Sequence, residues 1–225
     1  MSSLFGILEK IKGDPRGMLG GASLEKLEGF LYGWETAGRT KTFPEGHFCP
    51  FREWLEAKYN LSGPAYSQTS IIQLVAGNDH DAFHLFFSEF ENFRASHPEY
   101  AETTHNPSTQ VRDKGRREKI ETIRRMPGIF LGGTNVDRMR GFLDGDAYAR
   151  READPEVELY GDLDKLEEWL REEEGTNVTI RCEAWAKRFG GEDTSKAFYW
   201  LMDKLEKFEN SRGMELSFTE GEDGW

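Results

Sequence analysis

The chain repeats itself, and no other feature limits its possible folds as much. Pro15, Leu19, Gly20, Gly21, Gly29, Phe30, Leu31 and Gly33 recur 112 positions later as Pro127, Leu131, Gly132, Gly133, Gly141, Phe142, Leu143 and Gly145. Leu8, Glu9, Ile11 and Lys12 likewise reappear as Ile120, Glu121, Ile123 and Arg124. Beyond about residue 40 the offset becomes 115, so that Trp54-Leu55 matches Trp169-Leu170 and Ala82-Phe83 matches Ala197-Phe198. Phe90-Glu91 and Phe93 then match Leu205-Glu206 and Phe208. Self-similarity at a fixed period implies one supersecondary unit used twice.

The unit is read from two copies at once. Helix periodicity predicts a first helix over Leu4 to Ile11 and, in the copy, over Lys114 to Arg125. Proline and the Gly-Gly pair break it. Ser23 and Asn135 then stand where an N-cap is needed, ahead of helices in which Leu24, Leu27, Leu31 and Trp34, and Val136, Met139 and Leu143, fall on one face. Gly29 and Gly141 each cost about 1 kcal/mol in a helix interior, so their place in both copies implies close helix approach. Short helices follow around Trp54 and Trp169. Phe83, Phe86, Phe87, Phe90 and Phe93, repeated as Phe198, Leu201, Met202, Leu205 and Phe208, form the apolar stripe of a closing helix and are expected in the core. The expected fold is mainly α, two tandem homologous domains of about five helices each. They span residues 1–97 and 113–212, with a linker over 98–112 and a tail over 213–225 that holds one short strand at Glu215 to Phe218.

Charge sets the class of partner. The net charge of −12 disfavours nucleic acid, whose binders are rich in Lys and Arg, and anionic membrane surfaces. It suits a basic protein, because acidic patches steer association with basic surfaces. The segment Met1 to Lys12 carries Glu9 and has no apolar core, so no signal peptide is expected, and no run reaches the roughly 18–20 apolar residues of a membrane span. Cys49 and Cys182 occupy different places in the two copies and are expected to be free thiols. Together these point to a cytoplasmic chain.

The acid is unevenly spread. From Glu152 to Glu174 the second copy has eleven acidic residues against two basic ones, where Thr40 to Asn60 of the first has only Glu45, Glu53 and Glu56. Glu152, Asp154, Glu156, Glu158, Asp162, Asp164, Glu172, Glu173 and Glu174 are therefore the expected partner-binding residues, together with Tyr32 and Trp34, read as exposed aromatics on a helix.

Sites for chemistry are few. His80 and His84 are spaced i and i+4, as in zinc sites, with Asp79, His47 and Cys49 as possible further ligands. No Glu follows His80 as a metalloprotease would require, and the copy has Ser195 and Tyr199 in their place. The glycine turns lack the Gly-Lys-Ser/Thr of a phosphate loop, and Cys49 near His47 does not make a recurring dyad. No cofactor, metal or catalysis is expected.

The repeated pattern combines a Pro-Gly-x-x-Leu-Gly turn, a Leu-x-x-Phe-Leu-x-Gly helix, a Trp-Leu helix and an Ala-Phe-x-x-Phe closing helix. It resembles a poorly characterised bacterial family of small helical immunity-like proteins encoded beside polymorphic toxins, here in two tandem copies. The resemblance implies an inhibitor that occludes a basic toxin and does not itself catalyse. It departs from the family pattern at one aromatic before the penultimate helix, where the second copy has Trp185 and the first Ser70. Two other readings are an acidic anti-defence or nucleic-acid-mimic protein, and a metal-dependent hydrolase built on His80 and His84.

Overall fold

Helices form where the sequence supplies both a cap and an apolar face. The computed structural model describes residues 4–37, 48–61, 67–100, 113–153, 163–178 and 180–211. Among them are twelve α-helices and no strand. The first six are α1 (Leu4–Gly13), α2 (Pro15–Leu19), α3 (Leu24–Thr36), α4 (Cys49–Tyr59), α5 (Gln68–Ala76) and α6 (Asp79–Ser96). The second six are α7 (Asp113–Arg125), α8 (Pro127–Leu131), α9 (Val136–Ala153), α10 (Leu163–Glu173), α11 (Cys182–Gly190) and α12 (Thr194–Ser211). No helix among the described residues is long and apolar enough to cross a membrane. The short strand expected at Glu215 to Phe218 lies outside the described residues.

Each series therefore has six helices rather than about five. The extra ones are α2 and α8, where sequence reading saw only a break. A proline at N1 loses nothing, since that position's N–H has no helical acceptor. Asp14 Oδ1 then accepts from Gly17 N at 2.8 Å and caps the short turn of α2. Gly20 and Gly132 end α2 and α8 at φ 73° and 67°, a left-handed conformation that costs glycine little. Ser23 and Asn135 cap α3 and α9 as expected, accepting from Lys26 N at 3.2 Å and Arg138 N at 3.0 Å.

The fifth helices also correct a register. Counting back from Gly77 and Gly191, which end α5 and α11 with positive φ, Trp185 falls opposite Ile71 and not Ser70. Both are buried. The position is apolar core in either series, aromatic in the second and aliphatic in the first.

Two compact units are formed. The first gathers α1 to α6 with α9 from Arg140 onward; the second gathers α7, α8, the first turn of α9 (Val136 to Met139) and α10 to α12. In the first unit all five phenylalanines of the α6 stripe are buried, beside Ile7, Ile11, Leu27, Phe30, Phe51, Leu55 and Ile71. Phe51 meets Phe86 and Phe90 edge-on at 5.6 and 5.2 Å, the geometry aromatic quadrupoles favour. Each such ring contributes roughly 1.5–3 kcal/mol by burial. In the second unit Phe198, Leu201, Met202, Leu205 and Phe208 are buried in the same role.

Within the first unit, α3 and α9 cross at backbone contact. A Cβ on Gly33 would lie 2.0 Å from the Phe142 carbonyl oxygen, and one on Gly145 would lie 2.0 Å from that of Phe30. A Cβ on Gly141 would lie 2.1 Å from the Lys26 carbonyl oxygen. The pairing is reciprocal in repeat positions, because Gly33 and Gly145 are equivalent and so are Phe30 and Phe142.

Candidate functional site

The acidic residues singled out from sequence fall into three groups. Asp154, Glu156, Glu158 and Asp162 lie outside the described residues. Asp164 and Glu172 are exposed on α10. Glu152, Glu173 and Glu174 are engaged within their own units.

Glu152 accepts from the Tyr148 hydroxyl at 3.0 Å, and Lys10 lies 3.6 Å away. Lys10 in turn donates to the Tyr148 oxygen at 2.7 Å. That hydrogen bond, followed by the nearby carboxylate, raises the Lys10 pKa. The charge of Glu152 is thus met by Lys10 of α1.

Glu173 and Glu174 converge on α12. Lys204 Nζ donates to both at 2.9 Å, and the lysine side chain is only 12% exposed. Its ammonium also lies 5.5 Å from the Trp200 ring centre and 5.9 Å from that of Trp169. Burial pulls the lysine pKa down, but the hydrogen bonds to Glu174 and Glu173 outweigh it and leave the value raised. Glu173 and Glu174, both expected to face a partner, therefore hold the second unit together. Glu172 does face outward, on the rim of an open polar depression lined also by Arg171, Gly175, Thr176 and Asn177.

The first unit contains the same device with its charges exchanged. Lys58 of α4 pairs with Glu89 of α6, and its ammonium lies 4.8 Å from the Trp54 ring. At an offset of 115, Trp54, Lys58, Tyr59 and Glu89 correspond to Trp169, Glu173, Glu174 and Lys204. Tyr59 donates to Glu89 at 2.7 Å. Burial, and then that bond to a carboxylate, push its phenol up to about 12. A second ion pair recurs without exchange, Lys12 with Glu91 and Arg124 with Glu206.

The aromatic residues expected on the surface are corrected. Trp34 is 1% exposed and belongs to the core. Tyr32 is half-buried, its ring 5.7 Å from that of Phe142, and burial raises its pKa. Both face α3's packing partners because α3 is covered on more than one side, which a single apolar stripe does not reveal. Among the described residues the exposed aromatics are instead Phe189 and Tyr199. Phe189 stacks between Trp185 and Trp200 at centroid distances of 5.6 and 5.0 Å. Sequence reading missed this stack, though Trp185 and Phe189 are spaced i and i+4 in α11.

His80 and His84 are brought together on the exposed face of α6, ring centroids 4.8 Å apart. Among the described residues none of their suggested companions gathers with them into a trio of ligand atoms. Asp79 Oδ1 accepts from the backbone N–H of Glu25 at 3.0 Å, and His47 lies outside the described residues. Cys49 is an exposed free thiol and Cys182 a buried one. Among the described residues, one trio of potential ligands clusters more tightly: Glu167, Cys182 and Glu183, with ligand atoms within 4.8 Å of one another. Hydrogen bonding accounts for much of this closeness, since Cys182 N donates to Glu167 Oε1 at 3.2 Å.

Comparison with protein-family models, with curated proteins and with solved structures finds no match.

Proposed function

We propose that this chain is two tandem copies of one helical unit and acts as a binding protein: an acidic, cytoplasmic inhibitor that neutralises a basic partner, in the manner of an immunity protein occluding its toxin. The observation that carries the reading is the net charge of −12. Acidic surface of this kind accelerates encounter with a basic protein and suppresses wrong partners. Asp164 and Glu172, exposed on α10, are the acidic contacts best placed for it. Support for the duplication comes from the shared helix order, the matched caps of α3 and α9, and the charge-exchanged pairs Lys58–Glu89 and Glu173–Lys204.

The test is affinity capture from the host that encodes the chain, at low and at high salt, with parent protein and Glu172→Lys as baits. The reading expects one basic protein, held at low salt and released as ionic strength shortens the Debye length from about 10 Å to 3 Å. Glu172→Lys weakens that capture while leaving the fold intact. Recovery of no basic partner, or of one whose binding ignores both salt and the substitution, overturns it. Displacement of the partner by duplex DNA would instead favour a nucleic-acid mimic.

A further inference from the structure

We infer that His80 and His84 form a surface site for one divalent transition-metal ion of the nickel, copper and zinc group. Both imidazoles project from one face of α6, exposed, with ring centroids 4.8 Å apart and planes inclined at 61°. An ion bound at about 2.0–2.1 Å from a nitrogen of each ring needs only side-chain rotation, which exposed residues make between staggered wells. Imidazole is a ligand these ions favour, whereas magnesium and calcium favour oxygen.

The surroundings supply more than two nitrogens. Asp81 Oδ1 lies 3.5 Å from His80 Nδ1, a carboxylate beside the site that offsets the charge of the ion. Phe83 meets the His84 ring edge-on at 5.4 Å and ties that ligand to a helix whose opposite face is core. Water completes the coordination. At the equivalent positions the second copy has Ser195 and Tyr199, so the stoichiometry is one ion per chain. The hydrolase reading is not needed for this site, which binds without a general base.

The experiment is calorimetric titration of the full chain with Ni2+ at neutral pH. The parent is expected to bind one equivalent. Loss of an outer partner of a metal ligand already costs roughly tenfold or more in affinity, so His80→Gln and His84→Gln should each weaken binding by at least that factor. The double variant should bind no equivalent, while Cys182→Ser titrates like the parent. Thermal unfolding gives an independent readout, because an ion that binds only the folded chain raises its Tm; Ni2+ should raise it for the parent and not for the double variant. A double variant that titrates like the parent overturns the site, as does binding that follows Cys182 and not the histidines.

Discussion

Lys204 and Glu173 form, across α10 and α12, the charge-inverted counterpart of Glu89 and Lys58 across α4 and α6. In both places the ammonium lies close to a tryptophan at the same repeat position, Trp169 or Trp54. Exchange of sign at both ends of one contact leaves the attraction unchanged, so the packing of the two helices survives it. The structural need is for an ion pair over an indole, and the identity of each end is free.

That freedom predicts a rescue. Lys204→Met leaves Glu173 and Glu174 facing each other without their cation and should cost about 1–2 kcal/mol. Glu173→Lys alone should destabilise by a similar amount through like-charge contact. In a Glu174→Tyr background, which supplies the hydroxyl that Tyr59 gives to Glu89 in the first unit, the double change Glu173→Lys with Lys204→Glu should recover most of the loss, as urea midpoints would show. A double variant no more stable than either single one would mean that the pairing is incidental.

The α3–α9 crossing predicts a sharp contrast among glycines. Gly145→Ala or Gly33→Ala places a methyl group 2.0 Å from a backbone carbonyl oxygen, and overpacking of this kind costs about 1–3 kcal/mol or more. Gly128→Ala meets nothing within 4 Å and should be neutral or slightly stabilising, by up to about 1 kcal/mol. Chemical denaturation of the three variants separates close approach from helix propensity.

Tyr59 should titrate late. Its phenol is raised from 10.0 to about 12, so phenolate absorbance should include one hydroxyl that ionises well after an ordinary tyrosine. The folded state holds this proton more tightly than the unfolded state. Its stabilising contribution is therefore complete below pH 10 and is lost as the pH rises to about 12. Tyr59→Phe should flatten that part of the stability profile.

Trp34 should behave as a core residue and not as a contact. Trp34→Ala is expected to cost roughly 3–5 kcal/mol, with any loss of partner binding following from unfolding. A folded, fully stable Trp34→Ala protein with impaired binding would reverse this assignment.

Much of the fold was legible because periodicity and capping act locally. The stripe of Phe83, Phe86, Phe87, Phe90 and Phe93 reports a buried helix face from spacing alone, and Ser23 and Asn135 announce helix starts through their own hydrogen bonds. The repeat then served as a second reading of each element. What it concealed was α2 and α8, since a one-turn helix leaves no periodic trace and Pro15 reads equally as a stop or a start.

The tertiary structure decided how side chains are used. Sequence established a mainly helical chain with a repeated pattern and an excess of acid, because those follow from residue order and composition. It could not tell that Glu173 and Glu174 turn toward Lys204 while Glu172 turns outward, or that Trp34 is covered. Adjacent residues on a helix point about 100° apart, and which direction meets protein and which meets water depends on helices distant in sequence. The i and i+4 spacing of His80 and His84 was visible from the start, whereas their shared exposure on α6 was fixed only when the other face of that helix was buried.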